Sequence, residues 1–205
     1  MPIGIDFGTT NSVATYVNET SEFESTQIRG TPLPSLISIN HNSESVYKFG
    51  NEIGERDGLL VRGIKKFLGY ENLFQVETHS INAQNLCAKY LKWLLNQLPS
   101  AKLLNFTKEP IVCSVPVKYG EKYRQRLRLA FNSIGVENVK YIYEPTAAAI
   151  RALHHQKAFD NPKDFMGNIL VVDWGGGTID ISILSLKEDG SIEDINTEAV
   201  AHSLG

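Results

Sequence analysis

The chain opens on an apolar run, Ile3-Gly4-Ile5-Asp6-Phe7, that breaks at Gly8-Thr9-Thr10, and a second apolar run over 12–17 follows at once. Two such runs around small and hydroxyl-bearing residues predict a β-hairpin. A further strand is expected over 36–39, after the turn Thr31-Pro32-Leu33-Pro34, while 50–66 alternates polar and apolar residues without a clean period. The period then changes. Leu86, Tyr90, Trp93, Leu94 and Leu98 fall at helical spacing within 81–98, and Pro99 lies just past the end. Ile111-Val112-Cys113-Ser114-Val115, ending at Pro116, predicts a strand. Tyr123, Leu127, Ala130, Phe131 and Ile134 predict an amphipathic helix closed by Gly135. A short strand is expected at Tyr141-Ile142-Tyr143. Pro145 suits the first turn of a helix that the alanine-rich stretch to Leu153 continues.

Asn161-Pro162-Lys163-Asp164 reads as a loop or hinge. Beyond it, Ile169-Leu170-Val171-Val172-Asp173 is a buried-type strand that breaks at Trp174-Gly175-Gly176-Gly177-Thr178. A strand returns over 179–186, Asp189-Gly190 makes a turn, and 192–201 forms a third strand. There is no tandem repeat of solenoid length, but one motif is echoed. Asp6-Phe7-Gly8-Thr9-Thr10 and Asp173-Trp174-Gly175-Gly176-Gly177-Thr178 share the order strand, Asp, aromatic, Gly, hydroxyl turn, strand.

With 205 residues, 42% apolar and 21% charged, the composition is that of an ordinary globular protein. A net charge of −3 gives no basic field for nucleic acid or an anionic membrane. No charged segment followed by an apolar stretch opens the chain, and no run approaches the ~18 apolar residues of a membrane span. Cys87 lies in a helical pattern and Cys113 in an apolar strand. Two buried, reduced thiols are expected, as in a cytoplasmic protein.

The echoed turns suit phosphate. A polyphosphate needs backbone N–H donors that approach it closely; glycine removes the Cβ that blocks approach and allows successive N–H groups to form an anion nest. Thr9, Thr10 and Thr178 add hydroxyls. Asp6 and Asp173 end apolar strands, where a carboxylate is costly without a cation, and a hydrated Mg²⁺ would compensate both. Asp180 is a third carboxylate candidate. One such turn is ordinarily just a hairpin, whereas two copies suggest duplicated halves gripping a nucleotide.

At Glu144-Pro145-Thr146-Ala147-Ala148-Ala149-Ile150 a third motif joins these. Together with the segments 4–12 and 173–182, in that order, it resembles the nucleotide-binding domain of the 70-kDa heat-shock protein family. The resemblance covers essentially the whole chain. It implies an α/β, actin-like (ribonuclease H-like) ATPase fold, a mixed sheet flanked by helices, truncated after the start of a second lobe. On that reading 1–35 and 104–160 form the inner part of the first lobe, 36–103 a shortened small outer part, and 161–205 the beginning of the second lobe.

The same resemblance implies ATP or ADP with Mg²⁺, and ATP hydrolysis coupled to client-polypeptide binding in a longer, cytoplasmic chaperone. Its partners would be clients, a J-domain co-chaperone and a nucleotide-exchange factor, with no nucleic acid or membrane. Phosphate contacts fall on Asp6, Gly8, Thr9, Thr10, Asn11, Gly175, Gly176, Gly177 and Thr178, and water-mediated Mg²⁺ contacts on Asp6 and Asp173. Catalytic roles fall on Lys65, Glu144, Asp173, Thr178 and Asp180. In Ile64-Lys65-Lys66-Phe67-Leu68-Gly69 the register between the two lysines can slip by one; without the family, Lys65 would be a solvated surface residue. Pro116 and Arg124 are similar to the family's relay towards the client-binding domain.

Two departures stand out. Only a dozen residues separate Gly69 from the helix expected near Ile81, fewer than the family usually has, which puts exchange-factor contacts in question. The chain also stops before the family's adenosine pocket, so the isolated chain is expected to bind nucleotide weakly or not at all and to be inactive. The rival readings are a filament-forming bacterial actin relative, a small-molecule kinase of the same superfold, and a chaperone-like pseudo-ATPase serving as an interaction module.

Overall fold

The computed structural model describes residues 2–18, 20, 22–27, 30–40, 46–54, 58–70, 73–76, 79–99, 101, 104–174 and 179–200. Two compact units divide the chain. The first comprises 1–113 and 119–141, and the second 114–118 and 142–205.

The first unit is built on the predicted hairpin, strands β1 (Ile3–Phe7) and β2 (Asn11–Val17). Ile3, Ile5 and Phe7 alternate inward and are at most 3% exposed, which is what an extended chain does with every second residue. Strands β3 (Phe23–Ser25) and β4 (Leu33–Pro34) both pair with β2. On the other side, β1 runs parallel to β10 (Ile111–Val115), with Ile3 opposite Ile111, and β11 (Val139–Tyr143) closes the order β11-β10-β1-β2-β3 among the described residues.

A second sheet takes the order β6-β5-β7 from β5 (Leu36–Asn40), β6 (Val46–Phe49) and β7 (Leu59–Arg62). Helix α1 (Ile64–Tyr70) follows, and β8 (Leu73–Val76) and β9 (His79–Asn82) form a hairpin in the shortened segment.

Helix α2 (Ala83–Asn96) starts two residues later than its spacing predicts, because Ile81 pairs with Phe74 in β9 and the Asn82 side chain accepts from the Asn85 N–H as a cap. It packs on α3 (Glu121–Asn132) and on β2; Leu86, Tyr90, Leu91 and Leu94 of α2 are buried, as are Tyr123, Leu127 and Phe131 of α3. Trp93 stacks on Phe49 with ring centroids 5.8 Å apart and donates from Nε1 to Glu52 at 2.7 Å. Gly50, at φ +49°, admits that indole; a Cβ there would lie 2.4 Å from it. Cys87 and Cys113 are buried and form no disulfide, as expected, and burial, with Cys113 nearby, pushes the Cys87 thiol well above 9.0.

In the second unit α4 (Glu144–His155) packs on β12 (Gly167–Trp174), the first strand of the antiparallel order β12-β13-β14 with β13 (Ile179–Leu186) and β14 (Ile192–Val200). Pro145 does stand in the first turn of α4, and His154 and His155 in its last. Leu153, Ala158 and Leu186 form the core with Phe159, Ile169 and Ile192. The opposite face of β12 carries Leu170 and Val172, 65% and 55% exposed. The expected loop at 161–164 is ordered as a 3-10 turn, Pro162–Phe165.

Candidate functional site

The two echoed hairpins share a frame. In the first, Phe7 pairs with Ser12 and Asp6 with Val13. In the second, Trp174 pairs with Ile179 and Asp173 with Asp180. Each therefore places an Asp one step before an aromatic closing residue, with four residues between the closing pair. Gly175, Gly176, Gly177 and Thr178 of the second turn lie outside the described residues.

The first turn is tightly built. A Cβ on Gly8 would sit 2.0 Å from the Asn11 carbonyl oxygen, so only glycine fits. Ser35, directly after β4, holds the turn from below: its Oγ donates to the Gly8 carbonyl and its N–H to the Thr10 carbonyl, both at 2.8 Å. Ser12 Oγ lies 2.8 Å from Ser35 Oγ. Tyr90 of α2 donates to the Pro34 carbonyl at 3.0 Å. Burial pushes the Tyr90 phenol up, and the Ser12 and Ser35 hydroxyls act in the opposite sense.

Thr9 and Thr10 open onto a cavity of about 590 Å³ that Leu36, Arg62, Gly63, Lys66 and Phe67 also line. Hydroxyls, an ammonium and a guanidinium around a side-chain-free turn are a donor set suited to phosphate oxygens. The two adjacent lysines separate here. Lys65 is 4% exposed and engaged in interactions of its own, which is not the solvated residue expected without the family, whereas Lys66 is exposed and faces the cavity. Asp6 is exposed on the face of β1 opposite the core. Arg124 on α3 pairs with Glu121 at 3.4 Å.

In the second unit Asp173 and Asp180 stand directly opposite across β12 and β13, a repulsive arrangement unless a cation lies near. Lys118 Nζ is 3.8 Å from Asp180 Oδ1, with both side chains about a fifth exposed (22% and 17%). That same buried oxygen accepts no hydrogen bond among the described residues. A carboxylate oxygen with spare acceptor capacity beside a second carboxylate fits a water-clad Mg²⁺. Glu144 lies in the first turn of α4, where the helix dipole favours its charge, and Pro116 belongs to the same unit.

Reading the sequence named Lys66 only as the alternative to Lys65 and did not single out Arg62, Ser35 or Tyr90 for this cavity and turn. Lys66 is the residue to which the register slip pointed; the others meet the turn only through distant pairing, for which no local motif exists.

A sequence model described as Hsp70 protein matches residues 70–205. The chain is 31% identical over 196 residues to the chaperone protein DnaK of Mycoplasmopsis agalactiae (strain NCTC 10123 / CIP 59.7 / PG2), an alignment covering 95% of this chain and 31% of that protein. It is 28% identical over 202 residues to the chaperone protein DnaK of Mycoplasmopsis synoviae (strain 53), covering 98% and 32%. The chain thus spans about a third of the length of these curated relatives. With a family match over most of its length, the chain belongs to the Hsp70 protein family.

Proposed function

We propose that the chain is the phosphate-gripping part of an actin-like ATPase domain, which binds ATP with Mg²⁺ and, within a protein of chaperone length, couples hydrolysis to client-polypeptide binding in the cytoplasm. The observation that carries this is the common register of the two hairpins, each a strand with Asp at its next-to-last position and four residues, the first a glycine, between its closing pair. Residues 1–35 and 104–160 serve as the inner first lobe, 36–103 as its small outer part, and 161–205 as the start of the second lobe.

In this reading the first turn, at Gly8, Thr9, Thr10 and Asn11, holds phosphate oxygens through backbone N–H groups and hydroxyls, with Lys66 adding charge at the cavity. Gly175, Gly176, Gly177 and Thr178 do the same from the second hairpin. Mg²⁺, when bound, neutralises charge on the transferring phosphoryl group. Asp6 and Asp173 hold its water shell, and Glu144 keeps a water in register. Asp180 and Asp173 orient the attacking water and accept its proton, and Lys65 counters charge on the leaving phosphate. Pro116 and Arg124 pass the nucleotide state towards the client-binding part, and a J-domain co-chaperone and a nucleotide-exchange factor are the further partners of the full-length protein.

Phosphorus NMR of Mg-ATP titrated with the 205-residue chain tests the reading. Shifted β- and γ-phosphate resonances with an affinity weaker than micromolar are expected, since the contacts proposed here are to the phosphates alone. Resonances unmoved at millimolar chain would overturn the reading, and micromolar affinity would overturn the division of labour between the lobes. In the longest expressed form of the protein, Lys65→Ala should slow ATP turnover about 100-fold, the scale of losing one preorganised charge, with little change in affinity.

A further inference from the structure

The residues that grip the first turn from beneath have no counterpart in the assignments above, and their geometry gives them a task. Ser35 is 1% exposed and bonds the Gly8 carbonyl through Oγ and the Thr10 carbonyl through N–H. A hydroxyl has one proton, so with Ser35 donating to Gly8, the 2.8 Å contact to Ser12 has Ser12 as donor. Both carbonyls are thereby turned towards Ser35. No peptide bond among the described residues is cis, and a trans peptide points its N–H opposite to its C=O. The N–H groups of Thr9 and Asn11 therefore point away from Ser35, and the two oxygens that would repel a phosphate are held on the far side of the turn.

The hold extends one step further. The Pro34 carbonyl and the Ser35 N–H belong to one peptide plane. Tyr90, buried on α2, donates to that carbonyl at 3.0 Å, and the N–H at the other end of the plane reaches Thr10 at 2.8 Å. Aligned hydrogen bonds polarise one another, so the phenol strengthens the grip on Thr10. Phe7, the closing residue of the hairpin, lies 5.9 Å from the Tyr90 ring and fixes the phenol's position.

We propose that Ser35 and Tyr90 are positioning residues for phosphate binding: they orient the peptide planes of the first turn so that its N–H groups are free for an anion, without touching the anion themselves. The proposal rests on the reading of that turn as a phosphate site.

Its test is a titration of wild type, Ser35→Ala, Ser35→Thr and Tyr90→Phe with Mg-ATP and, separately, with inorganic pyrophosphate, followed by phosphorus NMR. Thermal unfolding and the amide shifts of Thr9 and Asn11 are recorded alongside. Ser35→Ala should weaken both ligands about tenfold, the scale of one lost hydrogen bond, and should move both amide shifts. Ser35→Thr, which keeps the hydroxyl, should restore affinity to within about twofold, and Tyr90→Phe should cost about threefold. A merely structural role would lower the unfolding temperature and leave affinity unchanged, and that result overturns the proposal. If Ser35→Ala fails to fold, Tyr90→Phe decides: unchanged affinity rejects the relay. A wild-type chain that binds neither ligand rejects the phosphate reading and the proposal with it, whereas wild-type binding that Ser35→Ala leaves intact rejects the proposal alone.

Discussion

The two hairpins share a frame but are furnished for different work. In the first, the residue opposite the Asp is Val13, and the turn beyond is clamped by the buried hydroxyl of Ser35, just after β4, which Ser12 of β2 supports. In the second, the residue opposite the Asp is Asp180, and the charged partner is Lys118 from a separate strand end. The first hairpin invests in backbone geometry and the second in carboxylates. In the proposed reading both copies offer donors and a carboxylate, and the second carries one carboxylate more, because the position across from its Asp is Asp180 where the first has Val13.

That contrast can be broken most sharply at Gly8. Gly8→Ala places a methyl against the Asn11 carbonyl, so the turn must rearrange. The expected cost is about 3 kcal/mol, the upper range for overpacking, together with loss of the phosphorus-NMR shifts. Urea unfolding of the variant measures it; a cost under about 0.5 kcal/mol would mean the turn is pliable.

The next largest effect separates the units by pH. Cys87 and Cys113 both belong to the first unit, and the folded Cys87 thiol keeps its proton above its ordinary 9.0. Above that pH the unfolded chain loses the proton while the folded one retains it. Stability conferred by the neutral thiol is therefore whole below pH 9.0 and declines above it, by at most about 1.4 kcal/mol per pH unit. Native-state amide exchange reads the units separately, and the slope should appear in the first and flatten in Cys87→Ala. An undiminished slope in the variant would assign it to another group.

The smallest effect on stability belongs to Asp180→Asn. The exchange removes a carboxylate–carboxylate opposition and a partly exposed ion pair together, so the net change should stay within about 1 kcal/mol by thermal unfolding. Turnover in the longest expressed form should nevertheless fall about 100-fold, as for loss of a general base. Stability and activity falling together would erase the proposed division between the hairpins.

Much of this was legible from the chain. The strands of both hairpins read clearly because runs of apolar residues end at glycine, α2 and α3 because their apolar positions recur at helical spacing, and α4 because Pro145 and an alanine-rich stretch mark it. The stretch 50–66 did not read, since β7 is half-buried and α1 is only 7 residues long, too short to display a period. β9 absorbed Ile81, which suits a helix as well as a strand. The hydroxyl clamp was hidden for a different reason: Ser35 and Gly8 are 27 residues apart, and nothing local distinguishes a serine that anchors a distant turn from one that begins a strand. Lys66 was separable from Lys65 only once α1 had a buried and an open side.

The indole that rests on Gly50 has a practical use. The sequence holds two tryptophans, Trp93 in the first unit and Trp174 at the edge of the second turn. A Trp174→Phe chain retains a single emitter, 9% exposed and tied to Glu52, whose fluorescence reports the environment of α2 alone, while subtraction from wild type isolates the emitter next to Gly175. The pair of unlabelled chains therefore offers an optical readout for each unit.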